Sequence, residues 1–283
     1  MNITGNTRVF LILGDPVTQV RAPEVFNHLF QKHDVDAVLV PAEVPSQDFA
    51  SFARMAMTAR NIDGFWLAIP HKPAMVGLLD SCEPTGRVAG AVNAARRNAD
   101  GSVEGALFDG IGFVKALEHH GIAYRGKRVL VVGVGGGGVA IAASLAQHGV
   151  AHLALFDATP GRAQDVATRL RETFDTDVGT PASNDPAGYD LVVNATPLGL
   201  KADDPLPFEV ARLDGDAAVV DILMKNQPTP LLRACHARGI NAQPGFEMLI
   251  QQMPEYLDFF GFNHIADAVR ADASDLRTML IPS

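Results

Sequence analysis

The sequence predicts an α/β protein whose second half is a doubly wound parallel sheet. Three observations carry that expectation. Short β-rich runs alternate with helix-period runs almost throughout. From Arg128 onward the strand-like runs are apolar at nearly every position, the pattern of parallel strands covered on both faces by helices. One of them, "RVLVVGVGGGGVAIAASLA" over residues 128–146, breaks into four consecutive glycines before turning apolar again.

Composition bounds the rest. A chain of 283 residues makes one large domain or two ordinary ones. With 47% hydrophobic and 19% charged residues it is globular, with a sizeable core. A formal net charge of -9 argues against a nucleic-acid partner, which requires a basic face. The apolar stretch Val9–Leu13 is too short for a signal-peptide core, and no run reaches the roughly 18 apolar residues of a membrane span. Cys82 and Cys235 lie far apart and in no C-x-x-C arrangement, so they read as reduced thiols in a cytoplasmic protein. The histidines form no H-E-x-x-H motif and no Cys/His cluster, so no metal site is expected.

Taken in order, "VFLIL" (9–13), "AVLV" (37–40) and "GFWLAI" (64–69) predict strands. "PEVFNHLFQKH" (23–33) and "SQDFASFARMAM" (46–57) predict helices, the second with Ser46 as candidate N-cap and Phe49, Phe52, Ala53 and Ala56 on one face. "AVNAARR" (91–97) and "SVEGALF" (102–108) predict a strand pair turned by "NADG". "RVLVVG" is a buried strand and "VAIAASLAQHG" a helix closed by Gly149. "HLALFD" (152–157) predicts a strand and "GRAQDVATRLRETF" (161–174) a helix, and "YDLVVNAT" (189–196) and "AAVVDIL" (217–223) predict strands. "GFEMLIQQMPEYLDFFG" (245–261) predicts one helix, bent at Pro254 and able to pack back on the first third.

The glycines carry the first functional signal. Gly133-x-Gly135-x-x-Gly138 follows a strand and opens a helix, the context a dinucleotide fingerprint requires. Gly133 makes the tight turn, Gly135 lets the backbone approach a pyrophosphate, and Gly138 lets helix and strand pack closely. Gly136 and Gly137 complete the loop, and the helix start offers N–H groups and dipole to the phosphates. The next strand ends in Asp157, 24 residues after Gly133, where a ribose-binding acid is expected. Its carboxylate would accept bonds from the ribose and repel a 2′-phosphate, so NAD is favoured over NADP, although Arg162 lies nearby in sequence. The plain alternative is a glycine-rich turn with no ligand. These residues alone imply an NAD-dependent protein, most simply an oxidoreductase.

Seven blocks then occur in the order of one family. "GDPVTQVRAPEVFN", "GFWLAIPHK", "GAVNA", "ALFDGIGF", "GVGGGGVA", "NATPLGL" and "GFEMLIQQ" resemble the shikimate/quinate dehydrogenase family over nearly the whole chain. The resemblance implies a substrate-binding and catalytic α/β domain over 1–108, a Rossmann domain over 109–245, and a last segment, 246–283, returning to the first. The active site would lie between the two, a common place for a ligand. Lys72 and Asp109 match the lysine and aspartate that flank the alcohol being oxidised. The chemistry needs such a pair, because hydride leaves the carbon while the hydroxyl loses its proton. The plain alternatives are a solvated lysine and an N-cap aspartate. Asn93 and Gln252 match amides that bind substrate hydroxyls, against a strand-end amide and an exposed helix residue. Asn194, Thr196, Pro197, Leu223 and Gly245 fall at positions the family uses around its cofactor. The resemblance also implies a role in aromatic amino acid biosynthesis.

The departures from the family pattern are not scattered. The first motif usually reads G-x-P-I-x-H-S-x-S-P, and here Val20 and Ala22 replace its two carboxylate-holding serines and Gln19 its histidine. Trp66 and Ala68 replace the asparagine and threonine of N-V-T-x-P-x-K, Phe108 replaces a threonine, and Met224 a tyrosine. The carboxylate clamp is altered while the groups at the reacting hydroxyl remain. Two explanations follow. The substrate lacks that carboxylate and meets an apolar wall of Val20, Ala22, Trp66, Ala68 and Phe108, or Arg21 turns inward as a bidentate fork. A solvated loop position is the alternative for Arg21. His71 is read as facing the pocket or the surface. The expectation is an NAD-dependent dehydrogenase, monomer or homodimer, acting on a ring hydroxyl of a small cyclic alcohol, with shikimate or quinate as default substrate. A non-catalytic NAD-binding redox sensor on the same fold is the rival, and retention of both Lys72 and Asp109 argues against it.

Overall fold

A computed structural model describes residues 3–201 and 203–280. The chain divides into two compact units: the residues up to Phe108 with those from Met253 on, and Asp109–Gln252.

The first unit is built on a mixed sheet. Its elements in chain order are β1 (Arg8–Gly14), α1 (Ala22–Lys32), β2 (Ala37–Glu43), α2 (Phe49–Ala56), β3 (Ile62–Leu67), α3 (Lys72–Val76), β4 (Ser81–Cys82), α4 (Pro84–Ala89), β5 (Ala94–Arg97) and β6 (Val103–Ala106). The strand order is β2-β1-β3-β5-β6-β4. β1 pairs in parallel with β2 and β3, and β5 runs antiparallel to β3 and β6. Period-2 alternation sorts the strands' side chains onto two cores. Leu13, Phe65 and Leu67 pack with Phe49 and Ala53 of α2 on one face. Phe10 and Trp66 pack edge to face on the other, 5.3 Å between ring centroids. α2 is capped at Asp48 rather than Ser46, with no side-chain cap bond. The predicted turn between β5 and β6 closes with the Asn98 N–H donating to the Ser102 carbonyl, and Gly101 supplies φ +89°.

The second unit follows with α5 (Asp109–His119), β7 (Arg128–Val132), α6 (Gly136–Gln147), β8 (His152–Phe156), α7 (Arg162–Thr173), β9 (Asp177–Gly179), β10 (Leu191–Asn194), β11 (Ala218–Asp221), α8 (Pro230–Ala237), β12 (Asn241–Pro244) and α9 (Phe246–Gln251). Its strand order is β12-β11-β10-β7-β8-β9, every pairing parallel. Counted from β7 this is the Rossmann order, which reverses between β7 and β10; ligands of such sheets bind outside the strand ends at that switch point.

The predicted single helix over 245–261 is two helices. α9 ends at Gln251, and α10 (Met253–Phe259) starts beyond Gln252, with Pro254 in its first turn, where a missing N–H costs nothing. α9 belongs to the second unit: it packs on α5 so closely that a Cβ on Gly112 would lie 2.5 Å from the Met248 carbonyl oxygen. The return to the first unit therefore begins at Met253, not at 246. α11 (Asn263–Ala271) and α12 (Ser274–Leu280) complete that unit. No helix among the described residues is long and apolar enough to cross a membrane.

Candidate functional site

The glycine loop is built as three different constraints. Gly133 has φ +92°, and a Cβ there would lie 2.8 Å from the Ala195 backbone. A Cβ on Gly138 would lie 2.0 Å from the Gly133 carbonyl oxygen, so α6 could not lie against β7 with any larger residue. Gly135 and Gly136 differ: nothing lies within 4 Å of a Cβ at either. A Cβ on Gly137 would lie 3.2 Å from Ile222 Cδ1. Gly135 is the N-cap of α6 and offers no side-chain cap. The helix start thus presents uncapped N–H groups and its dipole to open space, a cradle that fits a dinucleotide pyrophosphate.

Beside it lies a cavity of about 410 Å³, lined by Gly133, Gly135, Asp157, Thr159, Arg162, Thr196 and Pro197 among others. Asp157 stands at the end of β8 with both oxygens engaged. Oδ2 accepts from the Val134 N–H at 2.9 Å and Oδ1 from the Thr159 N–H at 2.8 Å. Burial works to raise its pKa, but the Thr159 and Val134 bonds and the Arg162 charge outweigh it and hold the carboxyl below its usual value.

Asn194, at the end of β10, is wholly buried. It does not line this cavity; its Oδ1 holds the following turn through Thr196, and Thr196 and Pro197 do line it. Leu223 packs near Gly199 and lies outside the cavity as well. Gly245 is held by packing, since a Cβ would lie 2.7 Å from Ile222 Cα. Asp221 and Thr229, which sequence reasoning missed, are buried behind the turn. Burial pushes the Asp221 carboxyl up, against bonds from Thr229, Leu223 and Asn194. The only signal for Asp221 was an acid at the end of an apolar run, and for Thr229 its place just before a helix-opening Pro230.

In the first unit, Lys72 opens α3, and its carbonyl accepts from the Val92 N–H at 3.1 Å. That bond sets Lys72 beside Asn93, a buried residue whose Oδ1 accepts from the Phe108 N–H at 2.9 Å. The structure thus brings Lys72, Asn93 and Phe108 together. Trp66 is not the substrate wall that was expected. It is 2% exposed, with Phe260 stacked 4.1 Å and Tyr256 5.5 Å from its ring centroid, so α10 and the residue just after it cover it. Phe108 likewise packs edge-on to Tyr256 and Phe259. Tyr256, also missed, places its hydroxyl 3.4 Å from the Asn93 carbonyl. His71 faces neither pocket nor solvent: it is buried, stacks on Phe49 at 4.3 Å, and bonds the Val44 carbonyl through Nε2 at 2.8 Å. Arg21 does not turn inward as a fork. Its Nε donates to Glu24 at 2.8 Å and its Nη2 to the Met279 carbonyl at 3.0 Å. Val20, Ala22 and Ala68 are half-buried, and Ala68 Cβ lies 3.1 Å from where a Cβ on Gly14 would stand.

In the second unit, Asp109 is the first residue of α5. The turn after it is pressed on α6, where a Cβ on Gly110 would lie 2.1 Å from the Ala140 carbonyl oxygen. Gln252 is the C-cap of α9, is buried, and its Oε1 has no hydrogen-bond partner among the described residues. A buried amide oxygen without a donor suits a ligand hydroxyl.

Residues 12–95 match the model of the shikimate dehydrogenase substrate binding domain. The chain is 35% identical over 257 residues to a shikimate dehydrogenase (NADP(+)) of Rubrobacter xylanophilus, covering 88% of this chain and 89% of the relative. The chain belongs to the shikimate/quinate dehydrogenase family. Its backbone resembles shikimate 5-dehydrogenase from Listeria monocytogenes in complex with shikimate and NAD (TM-score 0.86, 23% identity, 95% of this chain and 98% of the other). It also resembles quinate dehydrogenase from Corynebacterium glutamicum in complex with NAD (TM-score 0.82, 25% identity, 94% and 99%). As a shikimate/quinate dehydrogenase-type protein, the chain is a nicotinamide-dependent oxidoreductase.

Proposed function

We propose that this oxidoreductase uses NAD to interconvert a ring hydroxyl and a ketone on a small cyclic polyol that carries no carboxylate at the clamp end. The observation that carries the cofactor choice is Asp157. A ribose with free hydroxyls can donate to a carboxylate, whereas a 2′-phosphate would meet its negative charge. Arg162, the one cation lining that cavity among the described residues, is drawn to Asp157 at 3.5 Å and so is partly neutralised. The Rubrobacter xylanophilus relative is named for NADP(+), and the NAD reading departs from that name.

Gly133, Gly135 and Gly138 with the start of α6 would hold the pyrophosphate, and Asp157 the ribose. The nicotinamide, when bound, supplies the hydride acceptor. The Lys72 and Asp109 pair would hold the reacting hydroxyl and relay its proton, a contribution of typically about 10²–10⁴ in rate. Asn93, its amide oriented by the Phe108 N–H, and the Gln252 amide bond the neighbouring ring hydroxyls. Val20, Ala22 and Ala68 supply no hydrogen-bond donor from their side chains, and Arg21 is already engaged by Glu24 and Met279. A substrate carboxylate there would lose its water without replacement bonds, which is costly for a charge.

The test is NAD reduction across shikimate, quinate and ring polyols of the same hydroxyl pattern without the carboxylate. The uncharged polyols should give the higher kcat/KM. Preference for shikimate or quinate would overturn the substrate reading, and preference for NADP the cofactor reading.

A further inference from the structure

Asp221 is wholly buried at the end of β11 and accepts three hydrogen bonds. They come from Asn194 Nδ2 at 3.0 Å, the Leu223 N–H at 3.2 Å and Thr229 Oγ1 at 2.6 Å. A carboxylate only accepts, so the Asn194 amide must turn its Nδ2 towards Asp221. Its Oδ1 is thereby aimed at the turn, where it accepts from the Thr196 N–H at 3.0 Å and from Thr196 Oγ1 at 2.7 Å. The Thr196 hydroxyl, its proton committed, accepts from the Leu198 N–H at 3.1 Å. In the other direction the Thr229 hydroxyl donates to Asp221 and accepts from the Leu232 N–H at 3.2 Å, capping α8. The direction of each bond from Leu198 to α8 thus follows from one buried charge.

We propose that Asp221 is the positioning residue of the dinucleotide cavity: by orienting Asn194, Thr196 and Leu198 in series it holds the Ala195–Leu198 turn in the form that lines the cavity. Asp221 is not part of the cavity lining and acts only through Asn194. The proposal rests on reading that cavity as the dinucleotide site. An amide at position 221 can donate as well as accept, so Asn194 would no longer have a single orientation.

The test measures NAD affinity by calorimetry in the wild type and in Asp221→Asn. The Kd should rise about tenfold in the variant, the equivalent of one net hydrogen bond. The KM for NAD should rise with it, while kcat at saturating NAD changes far less. Thr196→Val removes the relay hydroxyl and should weaken NAD binding similarly, and Thr196→Ser should restore it. If Asp221→Asn does not fold, the Thr196 pair decides. Unchanged affinity in Asp221→Asn or, failing that variant, in Thr196→Val overturns the positioning role alone. A wild type that binds neither NAD nor NADP overturns the cavity reading on which the proposal stands.

Discussion

Arg162 Nη1 lies 3.5 Å from Asp157 Oδ1 in the lining of the glycine-loop cavity. The acid side chain is 8% exposed and the arginine side chain 49%, so the pair is anchored at its buried, backbone-bonded end and exposed at the other. The same guanidinium without its carboxylate would be an attractive partner for a phosphate.

Asp157→Asn should therefore lower kcat/KM with NAD and raise it with NADP, moving the ratio by about tenfold or more, with about 1.4 kcal/mol per factor of ten. Arg162→Ala should depress whatever NADP activity the wild type has. Steady-state kinetics with both dinucleotides check this, and an unmoved ratio in Asp157→Asn removes position 157 from cofactor choice.

Lys72→Met and Asp109→Asn should each cut kcat by about 10²–10⁴. Affinity for the dinucleotide should survive, because neither residue lines the glycine-loop cavity. Stopped-flow hydride transfer at saturating substrate is the measurement. Full activity in either variant would end that residue's role at the hydroxyl.

Two glycine variants should fail in different ways. Gly138→Ala puts a methyl 2.0 Å from the Gly133 carbonyl, so α6 must move off β7. Overpacking of this kind costs typically about 1–3 kcal/mol. Gly135→Ala meets nothing within 4 Å and keeps its backbone at φ -70°, so thermal stability should be retained while NAD affinity falls. Melting curves with and without NAD separate the two. Equal loss of stability in both variants would mean the cradle is a packing device only.

Acid should remove one identifiable contribution to stability. Asp275 Oδ2 accepts from Lys32 Nζ at 2.7 Å and bonds His28 Nε2 at 3.1 Å. The Lys32 bond above all, then His28, pulls its carboxyl to about 2 despite partial burial. The folded pKa lies below the ordinary 3.8, so the stabilisation is complete above about pH 4 and drains away as pH falls towards 2. Asp275→Asn should cost up to about 1 kcal/mol at neutral pH, given the pair's exposure. The gap between wild-type and variant urea midpoints should close below pH 4. A gap that widens in acid would assign the shift to another cause.

Much of this molecule was legible because its signals are local. Gly133, Gly135 and Gly138 sit within six residues of chain, directly between a strand and a helix, so the spacing alone marks the turn. The antiparallel β5–β6 pair was announced by "NADG" for the same reason. His71 was misread because nothing adjacent says that Phe49 and Val44 will close over it. The break at Gln252 escaped because Pro254 suggested a bend, whereas Pro in a first helical turn is a start signal. Asp221 was invisible because an acid ending an apolar strand has no partner until Asn194 and Thr229 arrive from other elements.

The sequence by itself determined the class of fold, the glycine turn and the family, since each is written in short motifs of residues close together along the chain. Only the tertiary structure decided that Trp66 is covered by α10 and Phe260, that Arg21 is engaged by Glu24 and Met279, and that a buried carboxylate orders the turn after β10. Those outcomes depend on which distant groups compete for the same few hydrogen bonds and the same apolar surface, and that competition is settled only once the chain has packed.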